Sequence, residues 1–184
     1  MEKLYLCRHG ETEWSLSGQH TSVTDLPLTE KGRAQVSSLK KHLENIPMQA
    51  VFSSPRKRAL ETCCFSTYEI DPHLQEWNYG EYEGKTSSEI REKRPGWDLF
   101  RDGAFKGESP EDVKKRADLV LQKVRGLKGN IALFSHGHFL KVLAARFLGL
   151  EVEKGNLFAL SVASLSILGE EKGKSVIFLW NQTF

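Results

Sequence analysis

Apolar and polar positions along this chain alternate between short continuous runs and longer helical rhythms. Leu4-Tyr5-Leu6-Cys7 is unbroken and predicts a buried strand over residues 3–8. A loop containing serine and glycine then runs to Pro27. Thr29 reads as a helix cap, and Ala34, Val36, Leu39, Leu43 and Ile46 supply the apolar face of a helix ending near Pro47. Residues 49–53 predict a short strand around Ala50-Val51-Phe52. Ser54 as cap and Pro55 as first helical residue then predict a helix carrying Arg58, Ala59 and Thr62. Ser109-Pro110-Glu111-Asp112 is a further helix start, with Val113, Ala117, Val120, Leu121 and Val124 on its buried side. Ile131-Ala132-Leu133-Phe134 predicts a strand over 131–135, followed by an apolar helix over about 139–148. Residues 157–168 and 174–180 alternate like strands on either side of Gly169-Glu170-Glu171-Lys172-Gly173, which reads as a turn.

Strand and helix signals thus alternate from end to end. This predicts an α/β fold, a three-layer α/β/α sandwich with a mainly parallel central sheet. Between about residues 67 and 108 the rhythm breaks, and Trp77, Tyr79, Tyr82, Trp97 and Phe100 crowd together with several glycines. A long irregular stretch inside a compact domain predicts a functional loop or lid.

Composition narrows the picture modestly. A chain of 184 residues fits one domain with a core that needs no staples. The formal net charge of +2 gives no overall field for nucleic acid or for an anionic membrane, although Arg56, Lys57 and Arg58 form a local basic cluster. Cys7, Cys63 and Cys64 are odd in number and lack a Cys-x-x-Cys spacing, so neither a disulfide framework nor a zinc knuckle is expected. No apolar run approaches a membrane span and no charged leader precedes one, so the expected location is cytoplasmic.

The candidate chemistry lies at two strand ends. Arg8-His9-Gly10 closes the first apolar run, and His136-Gly137 closes the run 131–135. Histidine is a nucleophile suited to phosphoryl groups, and arginine is shaped to hold their oxygens. Phosphoryl transfer is catalysed mostly by positioning and positive charge. His136 and His138 are not accompanied by a carboxylate cluster, so no metal site is expected and arginines must supply that charge. Arg8 and Arg58 stand at element edges, where they also keep His9 neutral. Helix starts after residues 54 and 136 are expected to add backbone donors for an oxyanion. A leaving alcohol also needs a proton. Glu76, beside large aromatics in Leu74-Gln75-Glu76-Trp77-Asn78-Tyr79-Gly80, is one candidate; an apolar wall favours a carboxyl that can donate near neutrality. Glu81 and Glu83 compete with it from position alone.

Four motifs in order complete the reading: Arg8-His9-Gly10-Glu11-Thr12-Glu13-Trp14, Ser53-Ser54-Pro55-Arg56-Lys57-Arg58-Ala59-Leu60-Glu61-Thr62, Leu74 to Gly84, and Ser135-His136-Gly137-His138. Together they resemble the histidine phosphatase superfamily, in its phosphoglycerate mutase-like branch. The similarity is greatest to mutase-like acid phosphatases and sedoheptulose-1,7-bisphosphatase-like proteins. The resemblance implies that His9 is the nucleophile and forms a phosphohistidine, that Arg8, Arg58 and His136 complete the phosphate pocket, and that Glu76 is the proton donor. It places Ser15, Thr21, Ser22, Trp77, Tyr79, Gly137 and Arg101 at substrate-binding positions. It also implies one domain over 1–184 with a small cap insertion at about 85–108. The mutases' arginine directly after the acid glutamate is replaced here by Trp77, which favours hydrolysis over transfer. The expectation is therefore a metal-independent phosphomonoesterase without cofactors, acting on a small phosphate ester with a sugar phosphate or bisphosphate first. Phosphoglycerate mutase is the alternative, and a catalytically idle phosphoester-binding or interaction module a second. The apolar C-terminal strands are expected either to cover a sheet edge or to join a partner copy.

Overall fold

The computed structural model describes residues 1–184. In chain order the elements are β1 (Lys3–Arg8), α1 (Glu13–Ser17), α2 (Glu30–Leu43), β2 (Ala50–Ser53), α3 (Lys57–Thr62), β3 (Glu69–Ile70), α4 (Ser87–Lys93), α5 (Leu99–Asp102), α6 (Pro110–Arg125), β4 (Ile131–Ser135), α7 (Gly137–Phe147), β5 (Leu165–Glu171) and β6 (Lys174–Gln182). Short 3₁₀ turns lie at Pro72–Leu74, Gly80–Tyr82 and Val152–Leu157.

The strands form one sheet in the order β3-β2-β4-β1-β5-β6. The first four run parallel, whereas β5 and β6 form an antiparallel hairpin against β1. Because successive side chains in a strand face opposite ways, each apolar run feeds two cores. Leu4 and Leu6 of β1 join Ile131 and Leu133 of β4 on the face covered by α6 and α7. Tyr5 and Cys7 join Ala132 and Phe134 on the face covered by Leu39 and Leu43 of α2. The result is the expected three-layer sandwich. Ile90, Trp97, Leu99 and Phe100, from the irregular stretch, pack into the same cluster as α6 and α7.

Several boundaries differ from the sequence reading, each for a local reason. α3 is capped by Arg56, not Ser54, because the Ser54 hydroxyl is engaged 2.7 Å from His136 Nε2. α7 starts at Gly137, with His136 as its cap residue, two residues earlier than its apolar run suggests. The last antiparallel strands begin only at Leu165. The preceding segment bends past β1, where the Leu160 and Ser164 carbonyls accept from the Arg8 side chain and backbone and Ala163 N–H donates to the His9 carbonyl. β5 extends through Glu171, so the turn is only Lys172-Gly173, both at positive φ (52° and 74°), as a tight hairpin turn demands.

Candidate active site

The ends of the parallel strands bring the distant motifs together. Arg8 pairs with Ser135 in register, and β2 lies on the other side of β4, so the residues following β1, β4 and β2 emerge side by side. This rim, at the carboxyl ends of parallel strands, is where open α/β sheets present ligands. A cavity of about 260 Å³ opens there, lined in part by Arg8, His9, Ser15, Thr21, Glu76, Tyr79 and Gly137.

His9 is buried, and its Nδ1 lies 2.8 Å from the Gly10 carbonyl oxygen. An acceptor at that position requires Nδ1 to carry the proton, which leaves the Nε2 lone pair free. Burial, then the Arg58 and Arg8 charges, hold the ring well below the usual histidine range, so it is neutral near pH 7. Arg8 donates from Nη1 to the Leu160 carbonyl, while its buried Nε has no partner.

Arg58 is fully buried and contributes no surface to the cavity. Its Nε donates to His136 Nδ1 at 3.2 Å, Nη1 to the Thr24 carbonyl at 3.1 Å, and Nη2 to the Thr21 and Ser22 carbonyls at 3.0 and 3.2 Å. His136 therefore carries its proton on Nε2, facing Ser54. Its ring is T-shaped against His9, with centroids 5.2 Å apart, and burial followed by Arg58 keeps it neutral.

Glu76 is placed by its neighbours' backbone. Ser135 Oγ donates to the Leu74 carbonyl at 2.6 Å, and Arg116 of α6 donates to the carbonyls of His73, Gln75 and Glu76. The carboxylate then accepts N–H bonds from Trp77 (2.9 Å), Phe139 (2.8 Å) and His138 (3.1 Å). Trp77 does not supply the aromatic wall expected around it: its indole turns into the core and donates to the Glu108 carbonyl at 2.9 Å, while Tyr79 lines the cavity with Glu76. Two α7 amides expected to remain open for an oxyanion are taken by Glu76 instead. The rival carboxylates are committed elsewhere, Glu81 to Lys106 and Glu83 to the Ser22 and Thr24 amides.

The remaining expected contacts divide. Ser15, Thr21, Tyr79 and Gly137 line the cavity. Ser22, Trp77 and Arg101 do not. Ser22 is buried, with its amide on Glu83, and Trp77 belongs to the core. Arg101 is exposed and forms an ion pair with Asp102 while donating to the Gly96 carbonyl. His20, His138 and Lys141 line the cavity without having been expected there. Tyr79 Oη lies 2.6 Å from His138 Nδ1, and His20 Nε2 lies 3.3 Å from Ser87 Oγ. Lys141 follows Gly137 by four residues on α7, a spacing that shares a helix face and was the available signal. A larger, open hollow of about 800 Å³ between α6 and α7 lacks this chemistry, and its Arg146 is paired with Asp118.

Comparison with known proteins gives a consistent result. Residues 4–183 match the family described as the histidine phosphatase superfamily (branch 1). An acid phosphatase of Mycobacterium tuberculosis is 38% identical over 178 residues, covering 93% of this chain and 88% of that protein. A sedoheptulose 1,7-bisphosphatase of Saccharomyces cerevisiae is 33% identical, covering 81% of this chain and 68% of that protein. The solved structure of a Mycobacterium tuberculosis open reading frame product superposes with a TM-score of 0.96 at 35% identity, covering 99% of this chain and 98% of that one.

Proposed function

This chain belongs to the histidine phosphatase superfamily, and from that premise we propose that its pocket hydrolyses small phosphate monoesters through His9. The Nε2 lone pair attacks phosphorus, the P–O bond to the alcohol breaks, and the leaving oxygen takes a proton from the Glu76 carboxyl. Water then attacks the phosphohistidine and gives a proton back to Glu76. The P–N bond breaks, releasing inorganic phosphate and restoring the neutral ring. Arg8 faces the transferring oxygens, while Arg58 acts from within the wall by fixing His136 and by opposing protonation of His9.

The observation that carries this reading is the His9 ring itself, neutral, with Nδ1–H committed to Gly10 and Nε2 left beside Arg8. Sugar phosphates and bisphosphates are the first substrates to try, since one relative is a sugar bisphosphatase by name. Trp77 supports hydrolysis over mutase chemistry. At the position where mutases carry an arginine, this chain places a buried indole that offers no cation to the cavity. The three free thiols fit a reducing cytoplasm, and no helix is long and apolar enough to cross a membrane.

The test is phosphate release from a panel of esters by wild type and His9→Ala, without added bisphosphoglycerate. Loss of release from every ester in the variant is expected. Undiminished release from His9→Ala sinks the phosphohistidine mechanism, and isomerised product without free phosphate turns the reading toward a mutase.

A further inference from the structure

The segment that carries Glu76 has no strand or helix of its own between the turns at Pro72–Leu74 and Gly80–Tyr82, so neighbours must impose its position. Arg116 of α6 does so with its whole guanidinium. Nε donates to Glu108 Oε1 at 2.9 Å, and Nη1 to the His73 and Gln75 carbonyls at 2.7 and 2.6 Å. Nη2 donates to Glu108 Oε2 at 2.9 Å and to the Glu76 carbonyl at 3.3 Å. These contacts match the five N–H donors of an arginine. Glu108 closes the grip from the far side of Glu76. Its Oε2 also accepts from Asn78 N–H at 2.7 Å, its amide donates to the Asn78 carbonyl at 2.9 Å, and its carbonyl takes the Trp77 indole N–H at 2.9 Å. The guanidinium carbon also lies 4.4 Å from the centre of the Phe139 ring. Phe139 N–H in turn makes the shortest of the three bonds to the Glu76 carboxylate, at 2.8 Å.

Arg116 therefore touches both the chain that carries the carboxylate and a residue whose amide aims it. Neither Arg116 nor Glu108 lines the catalytic cavity. The pair is mostly buried, with side chains 14% and 21% exposed, and such pairs add little net stability because desolvation offsets attraction. What a forked, fully engaged guanidinium does supply is fixed geometry, which proton transfer to a departing oxygen requires. We propose that Arg116, locked by Glu108, is the positioning residue for the general acid, holding the Glu76 carboxyl where the leaving oxygen departs. Lysine cannot take its place, since its three donors radiate from one point and cannot reach a carboxylate and three carbonyls together. The inference rests on the reading of Glu76 as the proton donor.

The test compares phosphate release from glycerol 2-phosphate, a poor leaving group, with release from p-nitrophenyl phosphate, a good one. Arg116→Lys is expected to lower kcat on glycerol 2-phosphate about 10- to 100-fold, and on p-nitrophenyl phosphate by no more than about threefold. Glu108→Gln, which breaks the fork but keeps one acceptor oxygen, is expected to give the same split at smaller size, and serves if the lysine variant folds poorly. In a Glu76→Gln background, Arg116→Lys is expected to add no more than about twofold on glycerol 2-phosphate, because the two act as a unit. Equal losses on both esters, or losses that multiply in the double variant, overturn the proposal. If Glu76→Gln alone shows no split, the acid assignment falls and the proposal with it; if Glu76→Gln shows the split and Arg116→Lys does not, the proposal alone falls. Amide hydrogen exchange gives a readout independent of turnover. Arg116→Lys is expected to speed exchange at Trp77, His138 and Phe139, the three donors to Glu76, while Leu133 in β4 keeps its rate. Unchanged exchange at those three amides overturns the proposal. If wild type releases phosphate from neither ester, the phosphatase reading fails while this exchange still decides whether Arg116 sets Glu76.

Discussion

At His9 one bond and one field settle what the ring can do. The Gly10 carbonyl fixes the tautomer, while burial and two guanidinium groups fix the charge. Since the shift is downward, the ring stays neutral through pH 6.5 and protonates only well below it. ¹⁵N-histidine NMR at pH 6 is expected to show His9 as the neutral Nδ1–H tautomer; a ring that titrates at or above 6.5 contradicts the arrangement. Glu76 admits a kinetic test. Glu76→Gln sets an amide where the acid would give its proton, and it turns an NH₂ toward one of the three backbone donors now bound there. Expected is a loss of roughly 10²–10⁴ in kcat for alkyl phosphates and a much smaller one for p-nitrophenyl phosphate, whose leaving group needs little protonation. Equal losses on both count against Glu76 as the acid. Which residues were legible follows from how they are held. Arg8, His9 and His136 directly follow apolar runs, so a strand reading alone puts them on the rim. His20 reaches the cavity by packing against Tyr79 and Trp97, which no local pattern encodes. Trp77 misled because an aromatic beside an acid reads as a wall, whereas its indole found a carbonyl at Glu108 on the other side.

Among the elements, α2 is what holds the loop after β1 in place. Thr29 donates from its backbone and side chain to Glu11, and Gln35 accepts from Glu11 N–H. This contact needs Gly32, because a Cβ there would lie 2.3 Å from the Glu11 carbonyl oxygen. Gly32→Ala sets a helix-propensity gain of about 1 kcal/mol against overpacking of about 1–3 kcal/mol. A Cβ that meets backbone rather than a movable side chain puts the result at the costly end. Net destabilisation of about 1–2 kcal/mol is expected by urea denaturation, together with reduced phosphatase activity as the His9 loop shifts. Gly126 is the control. It caps α6 in the right-handed helical region, and an added Cβ meets nothing closer than 3.5 Å. Gly126→Ala is therefore expected to be neutral or stabilising by about 0.4–1 kcal/mol, and similar behaviour of the two variants would show that the α2 contact is not tight. Long periodic elements such as α2, α6 and the β1 and β4 runs were readable because their apolar spacing is intrinsic. The two-residue β3, the late start of α3 and the bend before β5 were not, since each is set by a partner far away in sequence: Ser53 for β3, His136 for Ser54, Arg8 for Leu160.

Over the whole molecule, bringing the strand ends together buries an unusual number of uncharged histidines. His9, His20, His136 and His138 are all buried or line the cavity, and burial is the leading cause of a lowered pKa in each. The unfolded chain frees these rings to titrate near 6.5. Below that value the unfolded state binds more protons than the folded state, so stability falls as pH falls. The stability tied to each ring is fully present above pH 6.5 and is lost as pH descends through the folded value. His20, held at about 4, links roughly 3 kcal/mol to that window. Carboxylates such as Asp71, lowered by its partners His73 and Lys123, are lost in the same direction but at lower pH. Between pH 6 and 4.5 the histidines therefore dominate the slope. Chemical denaturation at several pH values is expected to show ΔG of unfolding dropping across this range, with His20→Asn removing about one proton's share, ~1.4 kcal/mol per pH unit. The slope is the relevant quantity, because Asn also alters packing against Tyr79 and Trp97 at every pH. A slope unchanged in His20→Asn means that this ring already takes up its proton in the folded protein, and the neutral cluster beside the catalytic pocket would then have to be redrawn with a charge in it.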